Sequence, residues 1–354
     1  MSWQTCRLGD VLTLKRGHDL PEHSRQDGDV PVVSSSGITG RHKEAKARAP
    51  GVVTGRYGTI GEVFYLEEDY WPLNTALYVI DFKGNDPRFS AYFLRNILKG
   101  YQSEKAAVPG VDRNVLHEIK TRAPDYATQR HISDILSVYD DLIENNRRRM
   151  ALLEESTRRL YSEWFVRLRF PGHEHTRIVD GVPDGWERVP LEEALVLQRG
   201  FDLPTQERQE GTVPIYGSTG ILGYHDKAKA SAPGVVTGRS GTLGEVQYVA
   251  EDYWPLNTAL WVKEFRRVTP LFALFLLREM DLKQYNGGAS VPTLDRKSVH
   301  RVEVLIPSTL LLRSFDEFGV DVFAQIKNLN TQNEKLRAAR DLLLPRLMSG
   351  DIAV

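Results

Sequence analysis

The sequence predicts an α+β protein in which two duplicated, strand-rich mixed α/β modules are separated by two long helices. One observation is a repeat at an offset of 183 residues, which carries Trp3 onto Trp186 and residues 70–77 (YWPLNTAL) onto residues 253–260. The other is a change of pattern after each module, where apolar residues begin to recur at helical spacing. A period this long indicates a duplicated domain, because solenoid repeats are about 20–50 residues long.

Within each module, short strands and turns are predicted to alternate. β-branched and aromatic runs bounded by Gly, Pro and Ser predict strands in the first module at residues 30–33, 51–54, 61–65 and 76–80. Residues 34–40 (SSSGITG) and 55–61 (GRYGTIG) are rich in glycine and serine and therefore predict loops. Apolar residues at helical period predict one helix at residues 87–98, with its counterpart at residues 270–279.

The region after each module carries a stripe of residues at alternating spacings of four and three. The first stripe comprises Ile132, Leu136, Tyr139, Ile143, Asn146, Met150, Leu153, Thr157, Leu160 and Trp164. The second comprises Phe315, Gly319, Val322, Ile326, Leu329, Asn333, Leu336, Arg340, Leu343 and Leu347. This sustained periodicity predicts a coiled coil, and Pro345 predicts that the second helix kinks or ends near Leu344.

Two asparagines predict the direction in which the helices pair. If the helices run antiparallel with Asn146 opposite Asn333, Ile143 faces Leu336 and the two amides satisfy each other. A shift of one heptad would instead bury each amide against an aliphatic residue, so the pair would set the register. The predicted arrangement is an antiparallel, pseudo-twofold coiled coil. The alternative is that either asparagine lies on the solvated edge of the stripe.

These patterns divide the chain into five predicted segments. They are module one at residues 1–125, helix one at 126–170, a Pro/Gly-rich linker at 171–185, module two at 186–308 and helix two at 309–354.

Composition narrows the class of protein. The formal net charge of -1 argues against a polybasic binder, although a local basic face is compatible with it. Cys6 is the only cysteine, which excludes a disulfide framework and a cysteine-rich zinc site. The N-terminal residues lack the pattern of a signal peptide, and no apolar run approaches the 20 or so residues that span a bilayer. We therefore expect a soluble, cytoplasmic protein.

Three short motifs, together with the order module, helix, module, helix, resemble one known family. The motifs are residues 182–186 (VPDGW), 160–165 (LYSEWF) and 344–352 (LPRLMSGDI). In this order and spacing the whole chain resembles the specificity (S) subunit of type I restriction–modification enzymes, the HsdS-like proteins. It departs from that family in one respect, because its two modules are unusually alike.

The resemblance implies that the modules are target recognition domains, each binding one half of a bipartite site in double-stranded DNA. It implies that the helices recruit two methyltransferase (M) subunits, with restriction (R) subunits where a nuclease is present. The chain itself would be non-catalytic and would bind no cofactor. The partner subunits would use S-adenosylmethionine, with ATP and Mg in the nuclease.

Candidate DNA-binding residues are chosen for directional hydrogen bonding on glycine-bearing loops. The first loop pair contributes Arg56, Tyr57, Thr59, Arg239, Ser240 and Thr242. The second contributes Ser34, Ser35, Ser36, Tyr216, Ser218 and Thr219, and the third contributes Arg16, His18, Arg199 and Phe201. Phosphate contacts are predicted for Arg41, Lys43, Lys46, Lys227 and Lys229.

Each of these candidates also has a purely structural interpretation. Arg56 and Arg239 would then pair with Glu62 and Glu245, the serines would form turns, and the lysines would be solvated. The mismatches between copies, such as His18 against Phe201, fall beside the proposed loops while the glycines are retained. They predict half-sites that are related without necessarily being identical.

Other classes of function are less well supported. The loop at residues 55–61 lacks the spacing of a nucleotide-binding motif, and residues 173–175 (HEH) are weak evidence for a metal, so no metal site is predicted. The main alternative is a non-catalytic coiled-coil scaffold with duplicated protein- or sugar-binding modules.

Overall fold

The computed structural model describes residues 3–57, 61–99, 110–288 and 290–354. These residues form two compact units. Unit 1 comprises the described residues up to Asn145 together with Gln332–Val354, and unit 2 comprises Asn146–Thr331. Each unit therefore holds one module and part of each long helix. The five-segment division remains a prediction.

The first repeat alternates short strands with short helices before its long helix. Its strands are β1 (Gln4–Arg7), β2 (Thr13–Arg16), β3 (Val30–Ser34), β4 (Gly37–His42), β5 (Gly51–Gly55), β6 (Val63–Leu66), β7 (Trp71–Pro72), β8 (Ala76–Asp81) and β9 (Lys120–Ala123). Its helices are α1 (Leu8–Val11), α2 (Pro87–Lys99), α3 (Arg113–His117) and α4 (Tyr126–Tyr161), and a π-helical turn follows at Ser162–Val166.

The second repeat follows the same order after a short hairpin in the predicted linker, β10 (Ile178–Val179) with β11 (Val182–Pro183). Its strands are β12 (Glu187–Pro190), β13 (Leu195–Arg199), β14 (Val213–Gly217), β15 (Gly220–His225), β16 (Gly234–Gly238), β17 (Val246–Val249), β18 (Trp254–Pro255), β19 (Ala259–Phe265) and β20 (Glu303–Ile306). Its helices are α5 (Leu191–Ala194), α6 (Pro270–Glu279), α7 (Arg296–His300) and α8 (Thr309–Ser349).

The two modules have the same sheet topology. A four-stranded antiparallel sheet has the order β2–β8–β5–β6 in unit 1 and β13–β19–β16–β17 in unit 2. A three-stranded sheet has the order β4–β3–β7 in unit 1 and β15–β14–β18 in unit 2, and its short last strand is parallel to the central one. The mixed α/β class predicted from the sequence is confirmed.

The structure contradicts one prediction about local structure and, for helix α8, one of two alternatives, since the kink predicted near Leu344 stays a prediction. Residues 37–40, predicted as loop, begin strand β4, because the turn occupies only Ser35 and Ser36 and Gly37 takes a φ of +101°. Helix α8 does not end near Leu344 but continues through Pro345 to Ser349. The missing N–H of Pro345 lies in the last turns of the helix, where the neighbouring Leu344 and Leu347 are buried in the core of unit 1.

Both asparagines of the predicted register are buried. Asn333 is fully enclosed in unit 1, where its Nδ2 donates to the main-chain oxygen of Ile143 at 3.3 Å. Asn146 is 6% exposed in unit 2, so neither side chain lies on a solvated edge. The pairing of these two amides with each other remains a prediction.

The side chains at the contact between the module and the long helices differ in chemistry between the two units. In unit 1, Asp140 of α4 accepts hydrogen bonds from Tyr92 Oη at 2.6 Å and from the guanidinium of Arg340 on α8. The residues 183 positions away in the repeat are Phe275, Phe323 and Thr157. In unit 2, Phe275 and Phe323 pack with ring centroids 6.2 Å apart. One unit therefore has an ionic layer where the other has an aromatic one.

We predict that Arg340→Thr lowers the free energy of unfolding of unit 1 by about 2 kcal/mol, because Asp140 then keeps its partly buried charge without the guanidinium. Adding Asp140→Phe should recover part of the loss, since the pair then matches unit 2. Calorimetric Tm values measure both effects, with the exposed Lys335→Thr on the same helix as control. A double variant no more stable than Arg340→Thr would contradict this account.

Two histidines serve as acceptors for main-chain N–H groups. His117 Nε2 accepts from Leu14 at 2.9 Å, and His300 Nε2 accepts from Leu197 at 3.0 Å. A protonated imidazole cannot accept, so both rings must be neutral here. Burial, followed by a nearby arginine, lowers the pKa of both histidines below its ordinary value.

A lowered pKa in the folded state means that the unfolded chain binds more protons as acid is added. The stabilisation is therefore complete above about pH 6.5 and declines as the pH falls through the folded-state pKa. We predict that Tm falls between about pH 7 and pH 5, and falls less in the His117→Gln, His300→Gln double variant. The exposed His23→Gln serves as control. Parallel pH profiles for wild type and double variant would show that these rings do not contribute.

Candidate nucleic-acid interface

A five-residue segment, PLNTA, organises the loops at one edge of each module; it spans residues 72–76 in unit 1 and 255–259 in unit 2. In unit 1, the main-chain N–H groups of Gly17, His18 and Arg56 donate to carbonyl oxygens of this segment at 3.1, 2.8 and 2.9 Å. An N–H of the segment donates in turn to the carbonyl of Val33 at 2.8 Å. The three candidate loops of the first module therefore meet at this segment.

Unit 2 repeats these bonds at equivalent positions. The N–H groups of Gly200, Phe201 and Arg239 donate to the PLNTA segment at 3.1, 2.8 and 2.9 Å. The segment again donates to the strand beside it, here to the carbonyl of Tyr216 at 2.8 Å. The same frame thus presents two different sets of side chains.

Close approach of the main chain explains one glycine in each frame. A Cβ on Gly17 would lie 2.2 Å from the carbonyl oxygen of Leu73, and a Cβ on Gly200 would lie 2.2 Å from that of Leu256. Neither position has room for a side chain, which accounts for the Arg-Gly pair in both copies.

An aspartate in each module joins two of the loops. In unit 1, the carboxylate of Asp19 accepts a hydrogen bond from the amide of Asn74, and Arg16 Nη2 lies 3.8 Å from the same carboxylate. Asn74 belongs to the PLNTA segment, whereas Arg16 is the last residue of β2 and Asp19 lies on the loop that follows it. We call Arg16, Asp19, Asn74 and Arg56 the first face.

Unit 2 has the same cluster, which we call the second face. Asp202 accepts from the amide of Asn257 and pairs with Arg199 Nη2 at 3.3 Å. Arg239 Nη1 donates to the main-chain oxygen of Asn257 at 3.0 Å. Sequence analysis placed these aspartates within the third loop but did not select them; their identity at the 183-residue offset was the available signal.

The two arginines of the glycine-rich loops do not form the internal ion pairs of the structural alternative. Among the described residues, neither Arg56 nor Arg239 contacts a carboxylate, and the main-chain oxygen of Glu62 instead accepts from Thr54 Oγ1 at 2.8 Å. The Arg56 guanidinium lies 4.5 Å from the ring centroid of Tyr57. Both arginines are half-buried, with donor groups left for a partner.

In unit 1, one serine of the second loop is internal. Ser34 is buried, and its hydroxyl donates to the carbonyl of Gly37 at 3.2 Å and accepts from the N–H of Ser36 at 3.2 Å. Ser35 is half-buried and Ser36 is exposed at the turn. Ser34 therefore stabilises the turn, in contrast to the surface contact predicted for it.

The equivalent turn in unit 2 lies against the glycine-rich loop. Ser218 is half-buried and Thr219 and Thr242 are exposed. A Cβ on Gly238 would lie 3.3 Å from the main-chain oxygen of Ser218, so the turn and the loop are adjacent. Tyr216, predicted as a DNA contact, is instead buried, and desolvation raises its pKa to about 12.

The mismatch at position 18 is coupled to a second one. His18 Nε2 lies 3.3 Å from the hydroxyl of Tyr78 in unit 1. In unit 2 the equivalent residues are Phe201 and Trp261, whose ring centroids are 6.3 Å apart. Burial, together with Lys15 and Lys46, lowers the pKa of His18. A polar pair has thus been exchanged for an apolar one of similar size.

Lysines flank each face. Lys46 Nζ lies 5.1 Å from the Trp71 ring and Lys229 Nζ lies 5.3 Å from the Trp254 ring, a cation–π arrangement that fixes the side chain but leaves the ammonium exposed. The remaining candidate cations are exposed: Arg41, Lys43 and Lys227. Arg41 donates to the main-chain oxygen of Asp29.

The remaining loop candidates lie beside the second half of each module. Tyr57 is 44% exposed and bridges to Gly110, and Ser240 bridges to Thr293. Thr59 lies outside the described residues.

The parts of the chain that the structure describes hold no group of three or more His, Cys, Asp or Glu side chains arranged to bind a metal. Nor does any helix there have the length and apolarity needed to cross a membrane.

Comparison with known proteins relates this fold to one family. Residues 1–155 match the family model described as the type I restriction modification DNA specificity domain. The specificity subunit of the type I restriction enzyme MjaIX from Methanocaldococcus jannaschii is 23% identical over 277 residues, 70% of this chain and 63% of the relative. The match thus spans less than two thirds of that relative's length. The HindI specificity subunit from Haemophilus influenzae is 19% identical over 340 residues, 71% of this chain and 73% of the relative.

A solved structure shares the fold. The crystal structure of the type I restriction–modification S subunit from M. genitalium has a TM-score of 0.61 and 17% identity, and the match covers 98% of this chain and 96% of that one. The family resemblance predicted from the sequence is confirmed.

Proposed function

We propose that this chain, which resembles HsdS-like specificity subunits, acts as such a subunit. Each module would be a target recognition domain that binds one half of a bipartite site in double-stranded DNA. The observation that supports this proposal is the repeated face. Arginine, aspartate and asparagine side chains project from the same main-chain frame in both modules. Guanidinium and amide groups are the side-chain groups best suited to reading base edges in the major groove.

The chemistry of the faces separates two kinds of DNA contact. Arg56 and Arg239 are half-buried; the Arg56 guanidinium lies 4.5 Å from the Tyr57 ring centroid, and Arg239 Nη1 donates to the main-chain oxygen of Asn257. These contacts restrict the direction of both guanidinium groups, as base recognition requires. Lys46 and Lys229 are exposed and suit phosphates, which position a protein without reading sequence. Arg41, Lys43 and Lys227 extend this positioning surface.

The long helices are proposed to pair as an antiparallel, pseudo-twofold coiled coil and to recruit two methyltransferase subunits. Within unit 1, Ile132 and Leu136 of α4 share a core with Leu344 and Leu347 of α8. Within unit 2, Phe315 of α8 lies 6.0 Å, between ring centroids, from Tyr161 at the other end of α4. Each unit thus pairs the beginning of one helix with the end of the other, as antiparallel helices do.

The proposed subunit is non-catalytic. Adenine methylation would be carried out by the methyltransferase subunits with S-adenosylmethionine. Restriction subunits, where present, would supply ATP- and Mg-dependent cleavage. This chain would contribute the choice of site.

Methylation mapping of DNA from cells that express the chain with its methyltransferase partner tests the proposal. We expect one bipartite motif whose two half-sites are related, because the frames are the same and only some face residues differ. Two unrelated half-sites would contradict the predicted relation between them. If the pattern of methylation did not depend on this chain, the scaffold alternative would replace the proposed function.

Arg56→Ala and Arg239→Ala should each weaken binding through one half-site only, by about 1–3 kcal/mol, because each removes a directed guanidinium from one module. Gel-shift titrations with DNA altered in either half-site measure the effect, with the exposed, phosphate-type Lys43→Ala as a comparison. An equal loss on random DNA would reassign the arginines as phosphate contacts.

A further inference from the structure

Each face carries a carboxylate where DNA binding alone would favour only cations. Asp19 is 71% exposed and Asp202 is 68% exposed, as side chains. Asp19 pairs with Arg16, and Lys15 and Lys46 act together with Asp19 on the charge of the neighbouring His18. A phosphate backbone would be repelled by a negative charge there. The carboxylate is nevertheless present in both modules, with the same two partners.

The partners show what the carboxylate does. Asp19 contacts the guanidinium of Arg16 at the end of β2 and the amide of Asn74 on the PLNTA segment. Exposed ion pairs of this kind contribute little to stability, about 0–1 kcal/mol. The two contacts do, however, restrict the side-chain rotamers of the arginine and the asparagine, which belong to different segments of the chain.

We propose that Asp19 and Asp202 are positioning residues that orient Arg16 with Asn74, and Arg199 with Asn257, for recognition of base edges by their own module. This inference rests on the proposed DNA-binding function and adds to it a residue that does not itself touch the DNA. In each module the carboxylate accepts an N–H of the asparagine, and it pairs with the arginine as a hydrogen bond at 3.3 Å in unit 2 and as an ion pair at 3.8 Å in unit 1. These contacts limit the directions in which the remaining N–H groups point.

The proposal predicts that removal of either aspartate raises the affinity for random DNA but lowers the preference for sequence. Removing a carboxylate from a surface that faces DNA strengthens sequence-independent binding, since repulsion of phosphates is lost. Removing a positioning residue weakens sequence preference in one half-site, because the freed donors must be ordered on binding. A merely structural or solvated aspartate would show the first effect without the second.

The test uses the full-length chain and a pool of random duplex DNA, from which bound molecules are selected and sequenced. Asp19→Ala should lower preference for the favoured bases about tenfold in the half-site read by unit 1 and leave the other half-site unchanged. Asp202→Ala should do the reverse. Asp19→Asn keeps an acceptor for Asn74 without the charge, and should lose less preference than Asp19→Ala.

Glu44→Gln is the matched control, because Glu44 is exposed near Lys43 and Lys46 and is Lys227 in the other module. It removes the same charge and should raise affinity for the random pool without changing either half-site. The inference is overturned if Asp19→Ala and Asp202→Ala behave like Glu44→Gln, or if each alters both half-sites. A wild-type chain that selects no sequence would instead disprove the proposed function. Unchanged Tm values would show that the variants fold.

Discussion

The main-chain carbonyl groups of the PLNTA segments are the constraint on which both faces depend. In each module this segment accepts N–H groups from the loop after the first strand of the four-stranded sheet and from the glycine-rich loop. It is itself anchored by the parallel pairing of β7 with β3, or of β18 with β14, and by buried tyrosines at positions 70 and 253. Main-chain acceptors do not depend on side-chain identity, so the loops can exchange side chains while the frame stays the same. Glycines whose Cβ would clash with the main chain are excluded from such exchange, among them Gly17, Gly200 and Gly238.

Because the main-chain frame does not depend on side-chain identity, the two modules share one frame while some of their loop side chains differ. The Arg-Asp-Asn cluster repeats without change, whereas His18 with Tyr78 is replaced by Phe201 with Trp261. This exchange involves both partners, so a pair that can form a hydrogen bond in unit 1 is replaced by two packed aromatic rings in unit 2. Differences of this coupled kind change the surface that a ligand meets without disturbing the loops that carry it. They are the physical basis for expecting related half-sites.

Much of this organisation could be predicted from the sequence, and the exceptions have physical causes. Strand and helix positions followed from period and composition; α6 was predicted at the residues where it lies. Strand β4 was missed because glycines at residues 37 and 40 suggest a loop, although positive φ at both is compatible with a twisted hairpin. Burial of Ser34 and Tyr216 was not predicted. Serine and tyrosine occur on both the buried and the exposed face of a sheet, so the residue type does not indicate which face it occupies. Asp19 was passed over because its role lies in a contact 55 residues along the chain, which no local pattern reports.

The ionic layer of unit 1 also influences which repeats can pair with each other. Two copies of the first repeat, paired in the proposed antiparallel register, would place Asp140 opposite Thr157 in both layers and leave each carboxylate without Arg340. Two copies of the second would place Phe323 opposite Arg340, with each guanidinium facing an aromatic ring in place of its carboxylate partner. Only the combination of unlike repeats pairs aspartate with arginine in one layer and leaves the other aromatic. A partly buried ion pair contributes little net stability, but leaving one of its partners unpaired is costly. This cost disfavours the pairing of two identical repeats and favours the pairing of the two unlike repeats within one chain.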